Sequence, residues 1–398
     1  CYDINIREGY IMKKIIAIFL IVSMCLYLSV PASAETSLTE EEMMEKNRLY
    51  HLVIDWFESK YDASCHGDFY FDHNGDLILN IVPEKFTSKM KEDIYKCNQM
   101  LQRNILTKKG IRTVEVQYTL KELYSFYNTL LDYYKTEGFY CISIDTINNK
   151  ISVELPNSIP RIKNISTFSN IPSEAVHFCY KESGGFTIKK AADRYLCDNN
   201  ISTRATTVNV RPGTTGASGG SGCTMSWGIK YQGKYCYLYA GHGVELGNSV
   251  FYNGINIGKA IYKKTGGSLD CALIERADSA KSISNLLPNG DTLSYAAPKR
   301  NYKANDIVWM YGASSARRSG TIQRISAGVY TDEGYLSDVI LASYTGASGD
   351  SGAPVYYGSS DGRTPLGIHS AYSKTSQYSA IIKLHNILDT TGGVLYDF

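Results

Sequence analysis

From residue 205 onward the chain is written in a period of two: short runs of alternating apolar and polar residues, separated by turns rich in Gly, Asn and Ser. The run "CTMSWGIKYQGKYCYLYAG" (223–241) folds on Gln232-Gly233. It is followed by "SVFYNGINIGKAIYKK", "LDCALIE", "DIVWMYG", "SGTIQRISAGVY" and "LSDVILASY". Successive side chains of a strand point to opposite faces, so alternation buries one face only if the segment is extended. Many short strands at close spacing predict an all-β sandwich or barrel. One late helix is predicted near residues 381–388. The stretch "RPGTTGASGGSG" (211–222) has no periodicity and reads as a loop or a linker.

Residues 35–204 follow another grammar. "GDFYFDHNGDLILNIV" (67–82) is two alternating runs around Asn74-Gly75, a hairpin signal. Residues 90–101 and 120–135 carry apolar side chains at helical spacing, 111–117 reads as a strand, and 140–155 is a second hairpin turning at Asn148-Asn149. The sum is a small α+β unit. Its boundary with the β-rich half is the polar stretch 197–207.

The segment 12–34 has Lys13 and Lys14, an apolar run of about 16 residues and Ala32-Ser33-Ala34. That is a secretory signal with its cleavage site; the run is short for a membrane span, which needs about 20 residues. Residues 1–11 precede a plausible initiator, Met12, and read as a non-native extension. The expected organisation is therefore 1–11 extension, 12–34 signal peptide, 35–204 α+β region, 205–398 β-rich domain, with a secreted product. A net charge of +2 with 20% charged residues argues against a nucleic-acid binder or a disordered acidic chain. Ten cysteines without a CxxC pair argue against a zinc site, and export permits disulfides.

The chemistry-bearing motif is Gly349-Asp350-Ser351-Gly352, in "YTGASGDSGAPVYY". A serine hydroxyl needs a base, and the base a group that orients it. The β-rich half has three histidines, His242, His369 and His385. His242 stands between glycines where an apolar strand ends, a place expected to open on a cleft. Asp270 leads into the apolar run "LDCALIE", where a lone carboxylate would be costly to bury unless hydrogen-bonded, as to an imidazole N–H. The order His242, Asp270, Ser351 is one of three chain orders known for a Ser-His-Asp triad.

On "YLYAGHG", "LDCALI", "TGASGDSGAPVY" and "LGIHSAYS", about 190 residues of this chain resemble the trypsin/chymotrypsin-like serine endopeptidases. The likeness is to their short secreted bacterial branch, the streptogrisin and α-lytic type. The resemblance implies two six-stranded antiparallel β-barrels with a C-terminal helix, preceded by an α+β pro-region that assists folding and then inhibits. It implies Ser351 as nucleophile, His242 as base, Asp270 as its orienting partner, and the N–H groups of Gly349 and Ser351 as an oxyanion hole. Asp350 is expected to brace the turn through a buried ion pair with Arg317, Arg318 or Arg324. No cofactor or metal is called for. The implied partners are polypeptide substrates and the chain's own pro-region, on a monomer. The family's cysteine after the catalytic histidine is replaced here by Gly243, so Cys223 is expected to lack its usual bridge.

Trypsin-like relatives carry an aspartate six residues before the nucleophile to bind Lys or Arg; Thr345 stands there in this chain, so the resemblance argues against cleavage after Lys or Arg. Glutamate-specific relatives resemble this chain in placing a histidine, here His369, on the pocket strand, with Ser348 three residues before the nucleophile. Ser370 and Tyr372 complete the implied pocket. From residue 205 on there are 17 Lys+Arg against 13 Asp+Glu, a net of +4 that favours an acidic substrate. The reading is a secreted serine endopeptidase cutting after Glu or Asp. The rivals are an aromatic or aliphatic preference, an inactive scaffold that only binds, and a membrane-anchored structural protein in which 12–34 stays uncleaved.

Overall fold

The computed structural model describes residues 38–159, 170–188, 208–219, 221–278, 280–358 and 363–396. The signal segment, the extension and the expected boundary at 204/205 lie outside these residues. Among the described residues, no helix is long and apolar enough to cross a membrane. The chain clusters into two units. One holds the residues up to Ser125 together with Thr146–Lys150 and Lys303–Asp306; the other holds Phe126–Asp145, Ile151–Tyr302 and Ile307–Phe398.

The first unit opens with helix α1 (Glu40–Glu58). Sequence periodicity did not reveal this helix. Its signal was local: Thr39 and Glu42 form a reciprocal capping box, and three glutamates fill the first turn. Strands β1 (His66–Phe71) and β2 (Leu77–Ile81) form the predicted hairpin, Phe71 opposite Leu77. Its turn is set by Asp72, whose carboxylate accepts from the N–H groups of Asn74 and Asp76, and by Gly75 at φ +69°. Helix α2 (Ser88–Leu101) and strand β3 (Arg112–Glu115) follow, β3 lying parallel to β2. The core is built from Leu49, Val53, Ile54 and Phe57 of α1, Phe69, Phe71 and Leu79 of the hairpin, and Ile94 and Leu101 of α2.

Helix α3 (Leu120–Glu137) spans the change from one unit to the other. In the second unit, β4 (Cys141–Asp145), β5 (Lys150–Pro156) and β6 (Val176–Lys181) are followed by β7 (Val208–Val210), β8 (Thr215–Ser218) and β9 (Ser221–Thr224). Residues 211–222, read as a loop or linker, therefore contain most of the β8–β9 hairpin. Its residues are too small to show a pattern: a Cβ at Gly216 would come within 2.6 Å of the Met225 sulfur, so close packing and not an apolar face fixes it.

Next come β10 (Gly228–Tyr231) and β11 (Lys234–Tyr239), turning on Gln232-Gly233 as predicted, then β12 (Ser249–Tyr252), β13 (Ile255–Gly266), β14 (Leu269–Arg276) and β15 (Ala280–Ile283). The chain continues through β16 (Ile307–Gly312), β17 (Ala316–Thr331), β18 (Gly334–Ala342), β19 (Pro354–Tyr357), β20 (Thr364–Ser373), β21 (Tyr378–Lys383), helix α4 (Leu384–Thr391) and β22 (Val394–Leu395). The late helix thus begins three residues after the predicted start, because 381–383 finish β21.

These strands make an eight-stranded sheet, ordered β22-β10-β11-β14-β13-β12-β8-β9, and a nine-stranded one, β16-β19-β20-β21-β18-β17-β4-β5-β6. Since β16 also pairs with β17, six strands of the second sheet pair in a closed cycle. The described chain is mostly β with few helices, in line with the sequence reading.

Candidate active site

The site forms where the two sheets of the second unit meet. Strand β11 delivers a tight turn, Gly241–Gly243, with His242 at its centre. Gly241 is there because a Cβ would lie 2.7 Å from the Lys264 carbonyl oxygen and 2.8 Å from the Cys271 nitrogen. The turn is pressed onto the start of β14, where Asp270 stands. Both side chains are buried, His242 at 5% exposure and Asp270 at 0%. His242 is therefore not open to a cleft in the way its glycine flanks suggest.

Asp270 takes hold of His242 twice: its Oδ1 accepts from the His242 backbone N–H at 2.9 Å, and its Oδ2 lies 2.7 Å from Nδ1. A third bond reaches Oδ2 from the Ser370 hydroxyl at 2.5 Å. Burial opposes ionisation of both groups. Their mutual attraction outweighs it, so Asp270 titrates below and His242 above its ordinary value.

Ser351 sits at the head of β19, almost fully buried. Its Oγ donates to the Ser370 carbonyl at 3.2 Å. Nε2 of His242 is buried and has no hydrogen-bond partner among the described residues. Ser370 is thus the hub, bonded to Ser351 through its carbonyl and to Asp270 through its hydroxyl. The sequence reading assigned it to the pocket alone.

The turn around Ser351 is held from several sides. Gly349 and Gly352 have φ of +97° and +86°, values costly for other residues, and a Cβ at Gly352 would fall 2.4 Å from the Thr224 carbonyl oxygen. Asp350 is buried at 0% exposure. It accepts from the N–H groups of Ser314, Ser315 and Ala347 and from the Ser315 hydroxyl. Among the described residues these hydrogen bonds stand where the arginine ion pair is expected, and Arg324 pairs with Asp145. Thr224, which sequence reasoning missed, ties the turn to β9: its N–H donates to the Ser351 carbonyl at 2.7 Å and its hydroxyl to the Gly349 carbonyl at 2.7 Å. Among the described residues, the N–H groups of Gly349 and Ser351 donate to no protein acceptor.

Beside Ser351 lies a cavity of ≈ 180 Å³, lined by Ser348, His369, Ser370, Tyr372 and Lys374 among others. His369 is 2% exposed. Its Nδ1 is 3.2 Å from the Tyr344 hydroxyl, and Gly346 leaves room for its ring. Burial pushes its pKa down to about 4, so it is neutral at pH 7. Lys374 is exposed and carries the formal positive charge of the lining. It lies just beyond the strand that the sequence reading assigned to the pocket. Along one wall, Thr187 exchanges two main-chain hydrogen bonds with Tyr372, 3.0 Å from the Thr187 N–H and 3.2 Å from the Tyr372 N–H.

The described cysteines are all unbridged, Cys223 included. No protein-family model matches the chain, and no curated protein matches it. Three solved structures illustrate what it is similar to. Thermobifida fusca protease A is 18% identical over 48% of this chain and 100% of its own, with a TM-score of 0.41. A glutamic acid specific serine protease, described as using a histidine triad in substrate binding, is 21% identical over 47% and 100%, with a TM-score of 0.40. Cellulomonas bogoriensis chymotrypsin is 17% identical over 48% and 100%, with a TM-score of 0.40.

Proposed function

We propose that the chain is a secreted serine endopeptidase of chymotrypsin-like architecture, made as a precursor with an inhibitory leader and acting as a monomer after leader removal. The observation that carries the reading is the network centred on Ser370, which brings Ser351, Asp270 and His242 into one buried cluster. In this reading Ser351 Oγ swings from the Ser370 carbonyl toward Nε2 of His242. The imidazole takes its proton as Oγ attacks the scissile carbonyl, then returns it to the leaving amine. Asp270 fixes the tautomer and favours the imidazolium formed on the way. The N–H groups of Gly349 and Ser351, without protein acceptors among the described residues, receive the developing oxyanion; such a donor is worth about 3 kcal/mol of barrier.

A polypeptide is the fitting substrate. In this reading a substrate backbone takes the two main-chain hydrogen bonds that Thr187 makes with Tyr372, as in strand addition. The proposed preference is Glu or Asp on the acyl side. A carboxylate entering the cavity would meet the neutral His369 and Ser348 as donors and Lys374 as a charge. Charge-assisted hydrogen bonds are roughly twice as strong as neutral ones.

The test is to express the precursor and its Ser351→Ala form, mix each with a complex peptide pool, and read the cut sites by mass spectrometry. Cuts after Glu that vanish in the alanine form are expected. Serine-dependent cuts after Phe, Tyr or Leu would keep the peptidase and remove the acidic preference. No serine-dependent cuts after leader removal would leave a binding scaffold.

A further inference from the structure

Four residues from the β-rich half of the sequence, Lys303–Asp306, belong structurally to the N-terminal unit. Lys303 is 2% exposed, Ala304 1% and Asp306 0%. The partners of both charges come from residues 47–68. Lys303 Nζ lies 2.6 Å from Glu58 Oε1 and 2.6 Å from Asp68 Oδ1. Asp306 Oδ2 lies 2.5 Å from His51 Nε2, and its Oδ1 accepts from Asn47 at 3.2 Å. Between them, the Ala304 carbonyl accepts from the Phe71 N–H at 2.9 Å and Asn305 donates to the Phe71 carbonyl at 2.7 Å, so the segment adds to the free edge of β1.

Burying a lone ammonium or carboxylate is costly, so charges at these two positions make sense only against matching partners. The partner side is specialised as well. Asp68 has φ +99° at a register break in β1, a strained backbone for aspartate. The bulge aims its carboxylate at Lys303.

We propose that Lys303–Asp306 is the recognition segment by which the N-terminal unit grips the β-rich half, and that this charge-paired grip outlasts cleavage of the connecting chain. Only its biological meaning rests on the leader reading above; the grip itself does not depend on peptidase activity. Cutting the chain is then not enough to free the leader, and the pairs at Lys303 and Asp306 slow its release beyond what the β4–β17 pairing alone would do.

The experiment uses the full chain with Ser351→Ala and a site-specific protease sequence inserted between residues 190 and 206. After cutting by the added protease, native gel filtration reports whether the two fragments co-elute. Co-elution is expected, with Lys303→Met or Asp306→Asn speeding dissociation by about a hundredfold. Combining Asp68→Asn with Lys303→Met should cost little more than Lys303→Met alone, because the lysine change already removes the Asp68 pair. Each variant is checked for cooperative unfolding before the cut. If one does not fold, Asn305→Ala, which removes only a neutral bond, takes its place, with faster release expected. Fragments of the parent chain that separate at once, or variants that hold as tightly as the parent, would overturn the proposal. A failed peptidase reading would show separately, in the peptide-pool assay on the unmutated serine.

Discussion

At the scale of single residues, Asp270 and His369 show how burial is put to opposite uses. Asp270 is buried but accepts three hydrogen bonds, two of them from His242. Replacing it by Asn keeps the shape and turns an acceptor toward a donor, so the imidazole is left in the wrong tautomer. The expected result for Asp270→Asn is a fall in kcat of about 10⁴ with KM little changed, measured on the best peptide from the pool. A loss below tenfold would remove Asp270 from its role. His369 is buried neutral, its pKa near 4 against an ordinary 6.5. The native state refuses a proton that the unfolded chain accepts. Its contribution to stability is therefore present above pH 6.5 and is lost as pH falls from 6.5 toward 4. His66 has the same sign and window, lowered to about 4 first by burial and then by Lys303. Thermal unfolding of Ser351→Ala from pH 7.5 to 4.5 should show falling Tm, with a shallower fall in the added His369→Gln variant; identical slopes would refute the assignment. The residues of the proposed triad were legible in the sequence because their chemistry demands particular side chains in a particular order. Thr224 and Lys374 were not, since a threonine tie and a surface lysine look like any other until the fold sets them beside Ser351.

At the scale of elements, legibility followed side-chain contrast. The alternating runs gave β10 through β14 and the existence of the hairpin β1–β2, because apolar and polar residues differ enough to mark a face. Helix α1 was missed because its signal is a cap and not a period, and β8–β9 because glycine and serine carry no contrast. Close approach is also the reason for Gly243. A Cβ there would lie 2.5 Å from the Cys223 sulfur and 3.2 Å from its Cβ. The free thiol fills the space that a bridge would otherwise use, and glycine makes room for it. A disulfide needs Cβ atoms about 3.5–4.5 Å apart, so a small shift would admit one. Gly243→Cys is expected to form a bridge with Cys223 under oxidising conditions and to stabilise the protein by about 3 kcal/mol. Thiol counting by mass spectrometry and thermal unfolding check this. A bridged protein with an unchanged or lower Tm would mean that the hairpin carrying His242 cannot give even a few tenths of an ångström.

At the scale of the whole molecule, chain order and sheet order disagree. The sequence divides at the polar stretch 197–207, yet β4, β5 and β6, all before it, extend the nine-stranded sheet from the edge of β17. Periodicity assigns strands but not their neighbours, so this pairing could not be read in advance. It has a consequence for any cleaved form. Ala327, Gly328 and Val329 pair with Ser143, Ile142 and Cys141 on that edge, and Arg324 bonds to Ser143 and Asp145. Without residues 35–188, these three positions become part of an open strand edge, a template for pairing with other chains, and a half-buried guanidinium loses its carboxylate. Hydrogen exchange at Ala327–Val329 should therefore quicken at least tenfold once the N-terminal part has been cut away and separated, while amides of β21, which pairs with β18 and β20, serve as the internal reference. If 327–329 exchange no faster than that reference after separation, β17 does not need β4. The N-terminal part would then contribute nothing to the strength of the sheet that carries Ser351.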